Sequence, residues 1–291
     1  MKPLLNTTLL FLLVIGFSGV VSGQDFEETK RLAEQGNAIA QSDLGVMYRY
    51  GRGVPENDVE AVRWYRLAAE QGNAIAQFNL GFMYANGEGV PENDAEAVRW
   101  YRLAAEQGYA SAQANLGFMY DNGDGVPEND AEAVRWYRLA AEQGHAIAQS
   151  NLGVMYRYGR GVPENDVEAV RWYRLAAEQG ESLAQYNLGI MYDNGEGVPE
   201  NDAEAVRWYR LAAEQGDASA QYNLGLMYAN GEGVPENGVR AYVWFSVAVA
   251  QGDENARTNR DIVSERLTPE QLAQGQDIAI RCFESDFQDC E

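Results

Sequence analysis

At 291 residues, with 44 acidic side chains against 22 basic ones, the chain carries a formal net charge of −22. Nucleic acids and anionic membrane surfaces both demand a basic footprint, so this balance argues against either as partner. It suits a basic or neutral partner, or simply a solvated acidic surface.

Met1 to Gly23 reads as a secretory signal peptide: Lys2 is its one charge, Leu4 to Val21 is mostly apolar, and Val21 and Gly23 are small residues placed for cleavage before Gln24. Its apolar core, Leu9 to Phe17, is short for a membrane span of about 20 residues. The expected mature protein is therefore secreted or periplasmic, with no membrane insertion after cleavage. No cysteine follows the apolar run, which argues against a lipoprotein anchor.

Phe26 to Gly36 (FEETKRLAEQG) matches the second half of a unit that then recurs six times with a period of 36, over 37–72, 73–108, 109–144, 145–180, 181–216 and 217–252. Residues 24–36 are thus a partial first unit, 37–252 six full units, and 253–291 a tail that leaves the pattern. Self-similarity at such a period signals an elongated array whose units pack on their neighbours.

In unit 73–108, Ala74 to Asn86 is predicted to form one helix, with Ala76, Leu80, Met83 and Tyr84 on its buried side. Gly87 to Pro91 (GEGVP) stops it. Asp94 is a natural N-cap for a second helix, Ala95 to Gln107, whose stripe is Ala97, Trp100, Tyr101 and Ala104. The pattern Ala76, Leu80-Gly81, Tyr84, Gly87, Gly89-Val90, Asp94, Ala97, Trp100, Ala104-Ala105, Gly108 resembles the Sel1-like repeat, a relative of the tetratricopeptide repeat. The resemblance covers 26–252. It implies an all-α fold, a right-handed α-solenoid of antiparallel helix pairs serving as an adaptor. Cysteine-rich relatives that bind penicillin-like ligands carry a cysteine pair in each repeat, and these units have none, so that activity is not carried over.

In the last unit Gly238 stands at the Asp94 position, and the second helix, Val239 to Ala250, turns apolar (YVWFSV). Such a helix needs further cover. Helices are predicted over 254–266 and, from a capping box at Thr268-Pro269-Glu270-Gln271, to about Phe283. Cys282 and Cys290 are the only cysteines, and an isolated pair in an exported chain is expected to form a disulfide.

Nothing in the sequence has the pattern of an active site, a metal site or a cofactor motif. His145 is the single histidine and reads as a surface turn residue. Asp121 to Val126 opens like a calcium loop with Glu132 twelfth, but Val126 holds the sixth position, which such a loop reserves for glycine. The GxG pairs follow helices, whereas phosphate loops follow strands.

The positions that differ between near-identical units are therefore informative. They follow Ile75, Phe78, Asn79, Phe82, Ala85 and Asn86 on one arc of the first helix. The expected groove is lined by Arg49, Phe78, Phe82, Phe118, Asp121, Arg157, Tyr186, Asp193 and Tyr222, with the Phe78 and Ala85 positions exposed and the Phe82 position either exposed or core. The leading reading is an exported, non-catalytic scaffold binding a protein or peptide there. The alternative is a cell-envelope enzyme acting on cell-wall peptide or a β-lactam, for which no nucleophile or base is visible.

Overall fold

The computed structural model describes residues 23–290, which form fifteen helices and no strand among the described residues. α1 (Gly23–Glu34) is the partial unit. Six helix pairs follow: α2 (Ala38–Arg49) with α3 (Asp58–Glu70), α4 (Ala74–Asn86) with α5 (Asp94–Glu106), α6 (Ala110–Asn122) with α7 (Asp130–Glu142), α8 (Ala146–Arg157) with α9 (Asp166–Glu178), α10 (Ser182–Asn194) with α11 (Asp202–Ala213), and α12 (Ala218–Asn230) with α13 (Gly238–Ala250). The tail adds α14 (Glu254–Ser264) and α15 (Pro269–Glu284). From α1 to α14 each helix packs on the next in the chain, which makes the array an α-solenoid. The leader reading falls on residues that lie outside the described ones. No helix of the described residues is long and apolar enough to cross a membrane.

The helix limits follow from local chemistry. Gly87 adopts φ +68, a left-handed C-cap whose N–H returns to the Met83 carbonyl. The second helix begins one residue earlier than the sequence suggests. Asn93, not Asp94, is the N-cap: its φ/ψ of −158/94 is extended and its Oδ1 accepts from the Glu96 N–H at 3.1 Å. Asp94 occupies the first turn, where its charge suits the helix dipole. Gly238 therefore replaces a first-turn residue, and the cap itself survives as Asn237, which accepts from the Arg240 N–H. The capping box at Thr268 and Gln271 is complete.

The hydrophobic cores straddle the boundaries of the sequence unit. One core joins Ala133, Val134, Tyr137, Ala140 and Ala141 of α7 to Ala148, Leu152 and Met155 of α8, and Trp172 of α9 closes it. Each tryptophan thus seals the interface before its own helix; Trp64 does so against Phe26 and Ala33 of α1, which is why a half-unit precedes the first full one. Inside each unit the first helix meets the second through glycine: a Cβ on Gly81 would stand 2.8 Å from the Tyr101 ring.

A buried amide staple repeats beside these cores. Gln113 donates to the Ala105 carbonyl at 3.0 Å, and Gln143 donates to Gln113 Oε1 at 2.7 Å and to the Leu139 carbonyl at 3.2 Å. One glutamine pair thereby ties α5, α6 and α7, and the same pairing recurs in every full unit. Arginines of the second helices add a further tie, for example Arg102 donating to the Tyr120 hydroxyl at 2.7 Å.

At the C-terminal end α14 and α15 both pack on α13, covering its apolar sides. Cys282 and Cys290 are disulfide-bonded with Cα atoms 4.4 Å apart. The bridge pins the last residues to α15, and Gln288 reaches back to the Glu214 carbonyl at 2.9 Å.

Candidate functional surface

The first helices form the inner row: α2 approaches α4, and α8 approaches α10. The nine residues expected to line a groove on this row do not share one environment. Phe78 is buried, with 2% of its surface exposed, contrary to expectation. Its ring lies 5.8 Å from Tyr101 and 5.1 Å from Tyr109, the N-cap residue of α6 in the next unit. The serines at the same position, Ser42 and Ser150, are buried too. The variation there is packing against the following unit, not exposure to a ligand.

Tyr186 and Tyr222 are half-buried and join the C-terminal core, with ring centroids 6.1 Å from Tyr209 and 5.9 Å from Phe245. The Tyr222 hydroxyl accepts from Asn259 at 3.1 Å, which links α12 to α14. Tyr222 thus helps hold the cap on.

The charged positions are also committed internally. Arg49 pairs with Glu88 at 3.0 Å and lies over the Phe82 ring at 4.3 Å. Arg157 pairs with Glu196 at 2.9 Å. Asp121 is bound by Arg160, which also reaches Asp130 at 3.0 Å. All three are bridges from one unit to the next. Burial raises the Asp121 carboxyl above its ordinary range, and Arg160 opposes that shift. Asp193 accepts from the Tyr209 hydroxyl at 3.0 Å and is raised by burial. Its counterpart in the last unit is Ala229, and there the tyrosine is Phe245, with no hydroxyl to satisfy. Ala85 shows that this match is not general, since its unit keeps Tyr101; at Arg49, Asp121 and Arg157 the residue answers to the next unit's linker.

What remains open on the inner row is the Phe82 position: Phe82, Val154, Ile190 and Leu226 are half-buried and Phe118 is 36% exposed. One turn further lie Tyr50, Asn86, Asn122, Tyr158, Asn194 and Asn230, all exposed, with Tyr158 at 61%. Asn86 and Asn122 donate to the carbonyls of Phe82 and Phe118 at 2.8 and 3.1 Å. The row is a strip of apolar side chains edged by amides and two tyrosines. The sequence marks this position as one that varies, through Asn86, yet the expected groove includes none of its six residues.

His145 is not a free turn residue. It is the N-cap of α8, and its Nδ1 accepts from the Ala148 N–H at 3.3 Å. Burial pushes its imidazole pKa down. A histidine with a lowered native pKa adds stability above its unfolded pKa of about 6.5, and that stability is lost as pH falls toward the native value. Around it, Glu142 at the end of α7 is exposed, and Glu181, the N-cap of α10, bonds its own Ala184 N–H and stands beside Ser150. Burial raises Glu181 and Asp217, so their contributions run the other way, present in acid and lost as pH rises. The substitution His145→Asn installs the cap used in the first two units, Asn37 and Asn73. Between pH 7.5 and 5 the parent protein should lose stability relative to this variant by about 1 kcal/mol, the usual worth of an N-cap. Urea unfolding across that pH range reads the difference; equal slopes for both proteins would refute it.

The Sel1 repeat model matches the chain six times, over residues 38–73, 74–109, 110–145, 146–181, 182–217 and 218–253. Among solved structures, the chain is similar to c5321, described as a protective antigen present in uropathogenic Escherichia coli strains, with 40% identity and a TM-score of 0.80. That alignment covers 91% of this chain and 57% of the E. coli protein, so the chain spans little more than half of that relative. It is also similar to a Sel1 repeat protein from Oxalobacter formigenes, at 36% identity and a TM-score of 0.68, covering 78% of this chain and 94% of that one. No curated protein matches the chain. Proteins built from these repeats are, in general, protein-interaction scaffolds. With six matched repeats filling most of its length, the chain belongs to the Sel1 repeat family.

Proposed function

We propose that this chain is an exported, non-catalytic scaffold that holds an extended segment of another protein along its first helices. The observation that carries this reading is the inner strip itself. Phe82 and Phe118 present aromatic surface, and aromatic residues dominate binding hot spots. Asn86, Asn122 and Asn194 edge the strip with side chains that both donate and accept, which matches the alternating N–H and C=O groups of an extended backbone. The charge of −22 suits a neutral or cationic segment and speeds its approach. Export rests on the leader sequence, Met1 to Gly23.

The test replaces Phe118 and Tyr158 by alanine together. Both are exposed, so helical content and melting temperature should hardly change. Capture of the partner from the native compartment should weaken by at least about thirtyfold, the equivalent of a hot-spot loss near 2 kcal/mol. Arg99→Ala is the control: Arg99 sits on the outer row over the Trp100 ring and should matter little. Unchanged capture in the double variant would move the binding surface elsewhere.

A further inference from the structure

We propose that Asn237 is a site of spontaneous modification: its side-chain amide closes on the Gly238 nitrogen with loss of ammonia, and water opens the resulting ring to aspartate or isoaspartate. The chain holds five Asn–Gly pairs, in which no side chain shields the attacking nitrogen: Asn86, Asn122, Asn194, Asn230 and Asn237 each precede a glycine. Four of them end first helices, and the fifth is the N-cap of α13. Exposure alone would rank Asn237 last, since it is half-buried and the other four are exposed. The backbone and the local charge rank it first.

The reaction needs a glycine N–H that solvent hydroxide can deprotonate. At the four helix ends that N–H is committed to the C-cap. Gly123 donates to the Met119 carbonyl and Gly231 to the Met227 carbonyl, both at 2.9 Å, and Gly87 and Gly195 do the same in their units. The side chains are engaged as well: Asn194 and Asn230 donate to Glu196 and Glu232, both at 3.3 Å. All four sit at the negative end of a helix dipole, where an anionic intermediate is disfavoured.

Asn237 reverses each condition. Gly238 is the first residue of α13, where an N–H has no intrahelical acceptor, and it donates no hydrogen bond among the described residues. Asn237 Oδ1 accepts from the Arg240 N–H at 3.0 Å. As the Gly238 nitrogen attacks Cγ, negative charge develops on that oxygen, so the cap bond strengthens toward the transition state. The Cγ–Nδ2 bond then breaks and the side-chain nitrogen leaves as ammonia. Charge acts in the same direction. The other five second helices hold two carboxylates in the first turn, Asp94 and Glu96 in α5. α13 holds none, and Arg240 stands at the Glu96 position. A positive helix end with a cation in its first turn favours the anion. The glycine also makes room for the tail: a Cβ at 238 would stand 2.9 Å from Leu267 Cδ2.

The protected asparagines are those that edge the inner row, so ageing falls on the cap and spares that row. An aspartate at 237 still caps α13. An isoaspartate lengthens the backbone by a methylene just before the first turn and shifts that turn against Leu267. The test incubates the full chain at mildly alkaline pH and follows amide-to-acid conversion at the five asparagines by peptide mass spectrometry. Asn237 should convert at least about tenfold faster than any of the other four. In guanidinium chloride, where caps and dipoles are gone, the five should convert at like rates. Asp94→Gly places an Asn–Gly pair at the N-cap of α5 while keeping Glu96, and Asn93 there should convert more slowly than Asn237. An equal rate at Asn93 would overturn the role given to charge. Equal rates at the five sites of the folded protein, faster conversion at any of the four helix ends, or a lead for Asn237 that persists in denaturant would each overturn the proposal.

Discussion

Gly161→Ala should destabilise the array by about 3 kcal/mol or more, whereas Gly144→Ala should lose only about 1 kcal/mol. Both glycines have positive φ, +66 and +88, so both variants bear the penalty of a left-handed conformation for a residue with a Cβ. Their surroundings differ. Nothing lies within 4 Å of a Cβ built on Gly144, while one on Gly161 would overlap the Asp130 carbonyl and stand 2.8 Å from the Ala131 nitrogen. Those are backbone atoms in the first turn of α7, and they cannot swing aside as a side chain can. Gly161 is thus the point where the linker of one unit rests on the second helix of the unit before it. Gly89, Gly125, Gly197 and Gly233 each meet the corresponding turn of the unit before their own. Urea unfolding of the two variants side by side measures the difference, and equal losses would show that φ alone explains the glycine.

The second large effect is expected at Leu152. It is fully buried between α7 and α8 and touches the core that Trp172 closes. Leu152→Ala removes buried methyl groups and leaves a cavity, a change that loses about 2 to 5 kcal/mol. Because that core belongs to two units at once, the loss should not stay local. Amide exchange should quicken across α7, α8 and α9 together, while α2 to α4 keep most of their protection. Acceleration confined to α8 would mean that each unit holds its own core, contrary to the packing described above.

Much of this architecture is legible in the sequence because the period is exact. Ala74 to Asn86 is the helix that its apolar spacing predicts, and Thr268 with Gln271 forms the expected capping box. The N-cap slipped by one residue because Asn93 and Asp94 can both cap, and the extended backbone at Asn93 decides between them. The binding surface was harder to read. Variation at Phe78 looks like freedom from packing constraint, yet Phe78 packs on Tyr109 and Ser150 meets Glu181, each the N-cap residue of the next unit. Arg49 and Asp121 look like groove charges, yet their partners Glu88 and Arg160 lie 39 residues on, a distance that only the stacking makes short. A single helical wheel cannot show a contact with the neighbouring unit. The glutamine staple escaped for the opposite reason: Gln113 and Gln143 never vary, and an invariant polar residue in a repeat reads as ordinary surface until the burial of Gln113 is seen.

The central claim is that the inner row of first helices, and not the outer row of second helices, receives the partner. Site-specific photo-crosslinking tests it most directly. A photoreactive phenylalanine analogue is placed at Phe118 on the inner row and, in a second protein, at Leu139, which is exposed on the outer row. Both proteins are irradiated in the native compartment. The account predicts a discrete adduct from position 118 that is absent from position 139. An adduct from position 139 alone, or the same adduct from both, would contradict it.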